Sequence, residues 1–278
     1  MSDLILKLLL RLFPAKSARL ASRILESQRM VDRLPPERAL ALAAALQRHE
    51  SNREYDATLP WRMECYAQEG EDLLLARLFG AKTDGFYVDV GAHHAARFSN
   101  TFLLYRKGWR GINIDATPGS MKVFERMRPR DINIECLVAA DDSPRPFYLL
   151  NESALNTVST ELAVEREKSN ALYRVAEKIV LAPRRLSAIL DQHLPKGQAI
   201  DLLTVDVEGS DLDVLRSNDW QAYRPAVILV ELLDTTLDNL YQNEMVAYLG
   251  EKSYRPIAKL YNTVVFGEAS IADGPNPT

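Results

Sequence analysis

The stretch Gly85-Phe86-Tyr87-Val88-Asp89-Val90-Gly91 decides the fold. Aromatic and β-branched residues, apolar at all but one position and closed by a glycine, read as a short strand buried on both faces. Strands of this kind belong to parallel sheets covered by helices, which predicts alternating helix and strand downstream. The chain follows that pattern with a helix over residues 100–107, a second apolar run over 111–115, and a helix opened by Pro118 that reaches Met127. A third run covers 133–139 and a fourth 202–207; a helix over 211–215 precedes a fifth run over 226–232. Residues 256–260 and 263–266 are joined by Tyr261 and Asn262, which is hairpin spacing. The expected fold class is α/β, a doubly wound and mostly parallel sheet with an antiparallel pair at its edge.

Upstream of residue 60 the pattern is helical. Leu4, Ile5, Leu8, Leu9 and Leu12 fall on one face of a helix with Lys7 and Arg11 opposite. Pro14 ends it, two more helices are read over 17–30 and 36–48, and periodicity fades over 50–60. Residues 1–60 are therefore read as a helical appendage and 61–278 as the catalytic domain. Lys7, Arg11, Lys16, Arg19 and Arg23 stand against Asp3 alone, so residues 1–25 carry +4 in a chain of net charge −4. The apolar stretch over 4–13 is about half of the roughly 20 residues a membrane span needs, and Asp3 stands where a secretory leader carries basic residues. The expectation is a cytoplasmic protein whose residues 1–25 pack on the body of the protein or on a second subunit, or lie on the anionic inner face of the membrane. The net charge offers no basic field for nucleic acid. Cys65 and Cys136 lie 71 positions apart without zinc or redox spacing and are read as two small core residues.

In an open α/β sheet, ligands sit beyond the carboxyl ends of the strands. After the first run come Gly91, Ala92, His93 and His94, where a glycine lets a ligand approach the backbone. The second run ends in Asp115, 24 residues after Gly91 and close to the roughly 20-residue spacing at which an acid binds ribose hydroxyls. Together these point to an adenosine-type cofactor, NAD or S-adenosylmethionine. Gly91 is followed by Ala92-His93-His94-Ala95-Ala96, so the G-x-G-x-x-G that cradles a pyrophosphate is missing, and no P-loop is present. A ribose without phosphates fits better, and the terminal hairpin fits a methyltransferase sheet; an NAD-linked oxidoreductase is the weaker alternative.

The ordered blocks Tyr66-Ala67-Gln68-Glu69-Gly70-Glu71-Asp72, Val88-Asp89-Val90-Gly91-Ala92, Gly108-Trp109-Arg110-Gly111 before Ile114-Asp115-Ala116-Thr117-Pro118, and Asp206-Val207-Glu208-Gly209 before Asp213-Val214-Leu215 resemble the FkbM-type S-adenosylmethionine-dependent methyltransferases over residues 62–267. The resemblance implies a seven-stranded class I methyltransferase fold. It also implies S-adenosylmethionine as cofactor and O-methylation of a sugar, glycan or related natural product, cell-envelope polysaccharide among them. On the cofactor side it puts Gln68, Asp89, Gly91, Ala92, Asp115, Ala140, Asp141 and Asp206; on the acceptor side it puts Arg97, Asn100, Asn156, Thr157, Glu208 and Glu231. The chain departs from the family in having His93-His94-Ala95 where Asn, any residue, then Gly is common, and Ala67 where Ser is frequent. A methyltransferase-like binding or scaffold module without turnover is the alternative reading.

Methyl transfer to a hydroxyl requires alignment and a destination for one proton. His93 or His94 is the natural base at neutral pH, with Asp206 as alternative or as partner to the acceptor. Asp206, Glu208 and Glu231 also form an oxygen set suited to Mg²⁺, but capping explains strand-end acids equally well and a metal is not favoured. Residues 144–183 are too many for a simple connection and should carry structure of their own, including a helix-like run over 161–178 that serves as a lid or faces solvent.

Overall fold

Helix α1 (Glu71–Leu78) precedes strand β1 (Phe86–Val90) in a computed structural model that describes residues 63–268; the helical appendage read from residues 1–60 lies outside the described residues. The chain continues through α2 (Phe102–Arg106), β2 (Arg110–Asp115), α3 (Met121–Met127) and β3 (Ile132–Glu135). Next come β4 (Arg145–Leu150), α4 (Thr160–Ser169) and β5 (Val175–Leu181), then α5 (Leu186–His193), β6 (Leu202–Val205), α6 (Asp211–Arg216) and β7 (Val227–Glu231). The described part closes with α7 (Glu244–Glu251), β8 (Tyr254–Lys259) and β9 (Thr263–Glu268). Seven strands form one sheet in the order β3-β2-β1-β6-β7-β9-β8. Only β9 runs against the others, pairing antiparallel with both β7 and β8. This is the class I methyltransferase sheet, and the order reverses between β1 and β6, which sets the ligand crevice at their carboxyl ends.

The period of two in β1 sorts its side chains between two cores. Phe86, Val88 and Val90 pack with Leu186 and Ile189 of α5 and Val214 and Leu215 of α6. Tyr87 faces the opposite core with Leu75 of α1, Leu104 of α2 and Trp109. Asp89 shares the parity of Tyr87, and its carboxylate accepts from Thr101 Oγ1 at 2.6 Å. The same interior holds Arg128, whose guanidinium donates to Asp131 at 2.8 Å, to the Tyr87 hydroxyl at 2.6 Å and to Thr101 Oγ1 at 3.0 Å. A buried charge needs such partners, and this cluster ties β1 to the segment joining α3 and β3.

The insert between β3 and α5 differs from its expected form. Of the run expected to be helical only the part up to Ser169 is so, in α4, while its end is strand β5, paired antiparallel with β4. Val175, Ile179 and Leu181 alternate with exposed residues, a strand period that the many charges of the segment mask. Strand β3 also stops at Glu135, four residues before the apolar run does. Of the two cysteines only Cys136, half-buried just past β3, packs against the core; Cys65 is exposed and donates to Asp72 Oδ1 at 3.0 Å. Among the described residues, no helix is long and apolar enough to cross a membrane.

Candidate active site

Gly91 brings the ends of β1 and β6 together. Its φ is 84°, and a Cβ there would stand 1.7 Å from the Asp206 carbonyl oxygen. Its amide and that of Ala92 both donate to Ile114 O, at 2.9 and 3.1 Å, so the loop crosses from β1 over the end of β2. His93 then adopts φ 51° and donates its backbone N–H to Asp115 Oδ2 at 2.9 Å, while Asp115 Oδ1 accepts from Thr117 N at 2.8 Å. Phe98 and Glu208 share this left-handed backbone. Strain at non-glycine residues is held in place by surrounding bonds and gathers where ligands bind.

Two cavities open on these strand ends. The first, a narrow cleft of about 60 Å³, is lined by Val90, Ile114, Leu137, Val138, Phe147 and Val158, together with Asp115, Thr117, Cys136 and Asn156. The second, about 390 Å³, is lined by Gln68, Arg97, Phe98, Glu152, Leu155, Arg166, Tyr173, Glu231, Leu233 and Asn262. Gly91, His93, Ala154, Asp206 and Glu208 belong to both, so these residues mark the junction. The apolar walls and the strand-end acid of the first suit an adenosine.

The junction is electrostatically unusual. Asp206 Oδ1 is sealed from solvent and has no hydrogen-bond partner. Burial, reinforced by Glu231 and Glu208, raises the Asp206 carboxyl well above its ordinary range. Burial and then Glu208 push Glu231 up to about 8. Glu208 is raised by burial too, against the pull of Arg166, with which it forms an ion pair. The His93 imidazole is lowered, chiefly by burial, even though Asp115 opposes the shift. It is therefore neutral at pH 7 and able to accept a proton. An unpaired acid between a polar cavity and an apolar one fits a cofactor that carries both a nucleoside and a positive charge, as S-adenosylmethionine does.

The family model of the methyltransferase FkbM domain matches residues 89–256, more than half of the chain and nearly every wall of both cavities. The chain belongs to this family. It is an S-adenosylmethionine-dependent methyltransferase. Solved structures that it resembles include a precorrin-6y C5,15-methyltransferase from Geobacter metallireducens GS-15, 11% identical over 74% of this chain and 93% of that one with a TM-score of 0.39. Another is the O-methyltransferase from Bacillus cereus in complex with SAH, 14% identical over 86% of this chain and 94% of that one with a TM-score of 0.36. No curated protein matches the sequence.

In this FkbM methyltransferase the residues singled out from sequence divide sharply. Gly91, Asp115 and Asp206 line the first cavity, and Arg97, Glu208 and Glu231 line the second. Gln68, expected at the cofactor, lies on the second cavity, because the neighbouring Glu69 carboxylate takes the Asn262 N–H at 2.9 Å and holds this loop beside the β8–β9 turn. Asn156, expected at the acceptor, lines the first cavity, with its side chain bonded to Leu150 N and Thr117 Oγ1. Several lie in neither cavity. Asp89 points into the Tyr87 core, and Ala92 packs with Ala95, Met121 and Phe124. His94 accepts the Ala96 and Arg97 amides on Nδ1, and Asn100 donates to Thr204 Oγ1. Thr157 donates its hydroxyl to Glu208 O. Ala140 and Asp141 fall past the site because β3 ends early; Asp141 pairs with Arg145, while Cys136, Leu137 and Val138 take the cavity wall instead. Sequence reasoning missed Phe147, Glu152 and Arg166, all in the insert that was expected to hold structure of its own.

Proposed function

We propose that this FkbM methyltransferase methylates a hydroxyl of a sugar or glycan, with the adenosine of the donor in the first cavity, the acceptor in the second, and His93 taking the hydroxyl proton. The observation that carries this reading is the junction, where a neutral imidazole and an unpaired carboxyl stand between an apolar cavity and a polar one. S-adenosylmethionine supplies a methyl already activated on sulfur. What remains for the chain is positioning and one proton transfer. Asp115 is held by two backbone amides in a fixed orientation toward the ribose side. Arg97, clamped on Glu152 at 3.0 and 3.1 Å, fixes the far wall of the acceptor cavity and lies 3.5 Å from His93 Nε2. Asp206 orients the acceptor or stabilises the imidazolium that forms.

Calorimetry with S-adenosylhomocysteine tests the donor assignment: Asp115→Ala should weaken binding at least about tenfold, the worth of one charge-assisted hydrogen bond. Unchanged affinity would remove Asp115 from the site. A panel of sugar glycosides screened by mass spectrometry for the gain of one methyl tests the acceptor class, and transfer to amines or carbons alone would refute O-methylation. The +4 charge of residues 1–25 supports contact with an anionic membrane surface, read out by co-sedimentation with phosphatidylglycerol vesicles.

A further inference from the structure

The acceptor cavity holds more negative charge than its own cations answer. Its carboxylates are Glu152, Asp206, Glu208 and Glu231, and its guanidiniums are Arg97 and Arg166. Arg97 commits both terminal nitrogens to Glu152, and Arg166 is committed to Glu208 and to Leu155 O. Asp206 and Glu231 therefore face the cavity with no hydrogen bond or ion pair from any described residue, and one Asp206 oxygen is wholly sealed. S-adenosylmethionine carries a single net positive charge, which leaves one of these two carboxylates unmatched. Each of Asp206, Glu208 and Glu231 offers an oxygen within 4.8 Å of the others. Three acceptors at about 2.8 Å from one nitrogen, in the tetrahedral directions of its N–H bonds, stand about 4.6 Å apart.

We propose that the acceptor bears a protonated amine close to the hydroxyl it offers, as an amino sugar or related amino alcohol does, and that Asp206, Glu208 and Glu231 receive that ammonium. This rests on the second cavity being the acceptor site. It explains why both arginines of the cavity are tied back onto glutamates, since free guanidiniums would repel such a ligand and select an anionic sugar. Without a cation, burial and mutual repulsion drive the carboxyls toward their protonated forms. Binding of an ammonium should reverse this and release a proton.

The test is calorimetry on the full chain saturated with S-adenosylhomocysteine, titrated with the methyl glycosides of glucosamine, glucose, N-acetylglucosamine and glucuronic acid. The expected order puts the amine first by roughly 10- to 100-fold over the two neutral sugars, the worth of charge-assisted hydrogen bonds to carboxylates, with the glucuronide weakest. Proton release, seen as a heat that varies with the ionisation enthalpy of the buffer, should accompany the amine alone. Glu231→Gln should reduce the preference below about threefold while S-adenosylhomocysteine affinity stays intact; the proton release of the wild type keeps the test independent of that variant. Equal affinities, a preference for the N-acetyl sugar, or no binding of the amine would overturn the proposal. So would Glu231-dependent binding of MgCl₂ alone without an amine preference, which would make the three acids a metal site. Failure of S-adenosylhomocysteine itself to bind would instead overturn the donor reading above.

Discussion

Replacing Gly91 by alanine should open the sheet at the junction of the two cavities. The added Cβ would lie 1.7 Å from the Asp206 carbonyl oxygen and 2.6 Å from its carbon, whereas real Cβ contacts essentially never fall below 3.0 Å. Relief requires about 3.0 − 1.7 = 1.3 Å of separation. Neither neighbour yields easily, since both are backbone, Asp206 N donates to Val90 O at 3.0 Å, and β1 pairs with β6 up to Val90 and Val205. Forcing extra volume into packed structure costs about 1–3 kcal/mol, and a side chain in left-handed backbone adds about 1–2 kcal/mol, so Gly91→Ala should lose about 2–5 kcal/mol. Gly197→Ala is the matched control, with φ 75° and nothing within 4 Å of the added atom, and should lose only the backbone share. Urea unfolding of both variants measures the difference. Calorimetry with S-adenosylhomocysteine and a turnover assay then follow the displacement of Asp206, where a 1 Å error costs about 10²-fold in rate. A Gly91→Ala protein as stable as Gly197→Ala, with donor affinity unchanged, would refute the close approach and the placement of the donor beside it.

Three further outcomes follow from the site and its supports. His93→Gln should lower turnover by roughly 10² to 10⁴; the wild-type kcat/KM should rise with pH through a value below 6.5, since burial lowers this imidazole, with Arg97 and His94 assisting and Asp115 and Glu152 opposing, and the variant should lose that limb. A His93→Gln enzyme that keeps the wild-type acid limb would exclude His93 as the base. Arg166→Met should strand the mostly buried Glu208 and cost about 3 kcal/mol in urea unfolding; an unchanged stability would contradict the ion pair. Asp89 is pushed up to about 6 by burial, so between about pH 4 and pH 6 the folded protein holds a proton that the unfolded chain has lost. The contribution of this group to stability therefore falls as pH rises through that window, and the wild type minus Asp89→Asn difference in unfolding free energy should decline across it rather than rise.

The sheet was legible from sequence because β1, β6 and β7 are apolar at nearly every position, a pattern that burial on both faces produces. The junction was legible as far as its residues follow directly on strands: Gly91 after β1, Asp115 at the end of β2, Asp206 after β6 and Glu231 at the end of β7. Asp89 belongs to the same motif, but strand parity turns it to the Tyr87 side, and a motif read without parity cannot tell the two directions apart. His93 and His94 are neighbours of the same type whose backbones diverge, one entering left-handed conformation and one capping the next turn. Glu152 and Arg166 stayed hidden because their partners Arg97 and Glu208 lie 55 and 42 positions away, and a charged helix carries no mark of which of its arginines reaches inward. The ribbon of β4 and β5 was obscured by the same charges.

That ribbon and helix α4 have a consequence for redesign. One continuous segment supplies Phe147 and Val158 to the first cavity and Arg166 and Tyr173 to the second. Grafting the whole segment from a relative would exchange the acceptor, but the transplant would bring its own adenosine contacts with it. A chimaera that kept residues 147 and 158 native while changing residues 166 and 173 would separate the two inheritances, and the practical unit for redesigning specificity is therefore the stretch from α4 to the start of β5 rather than the whole insert.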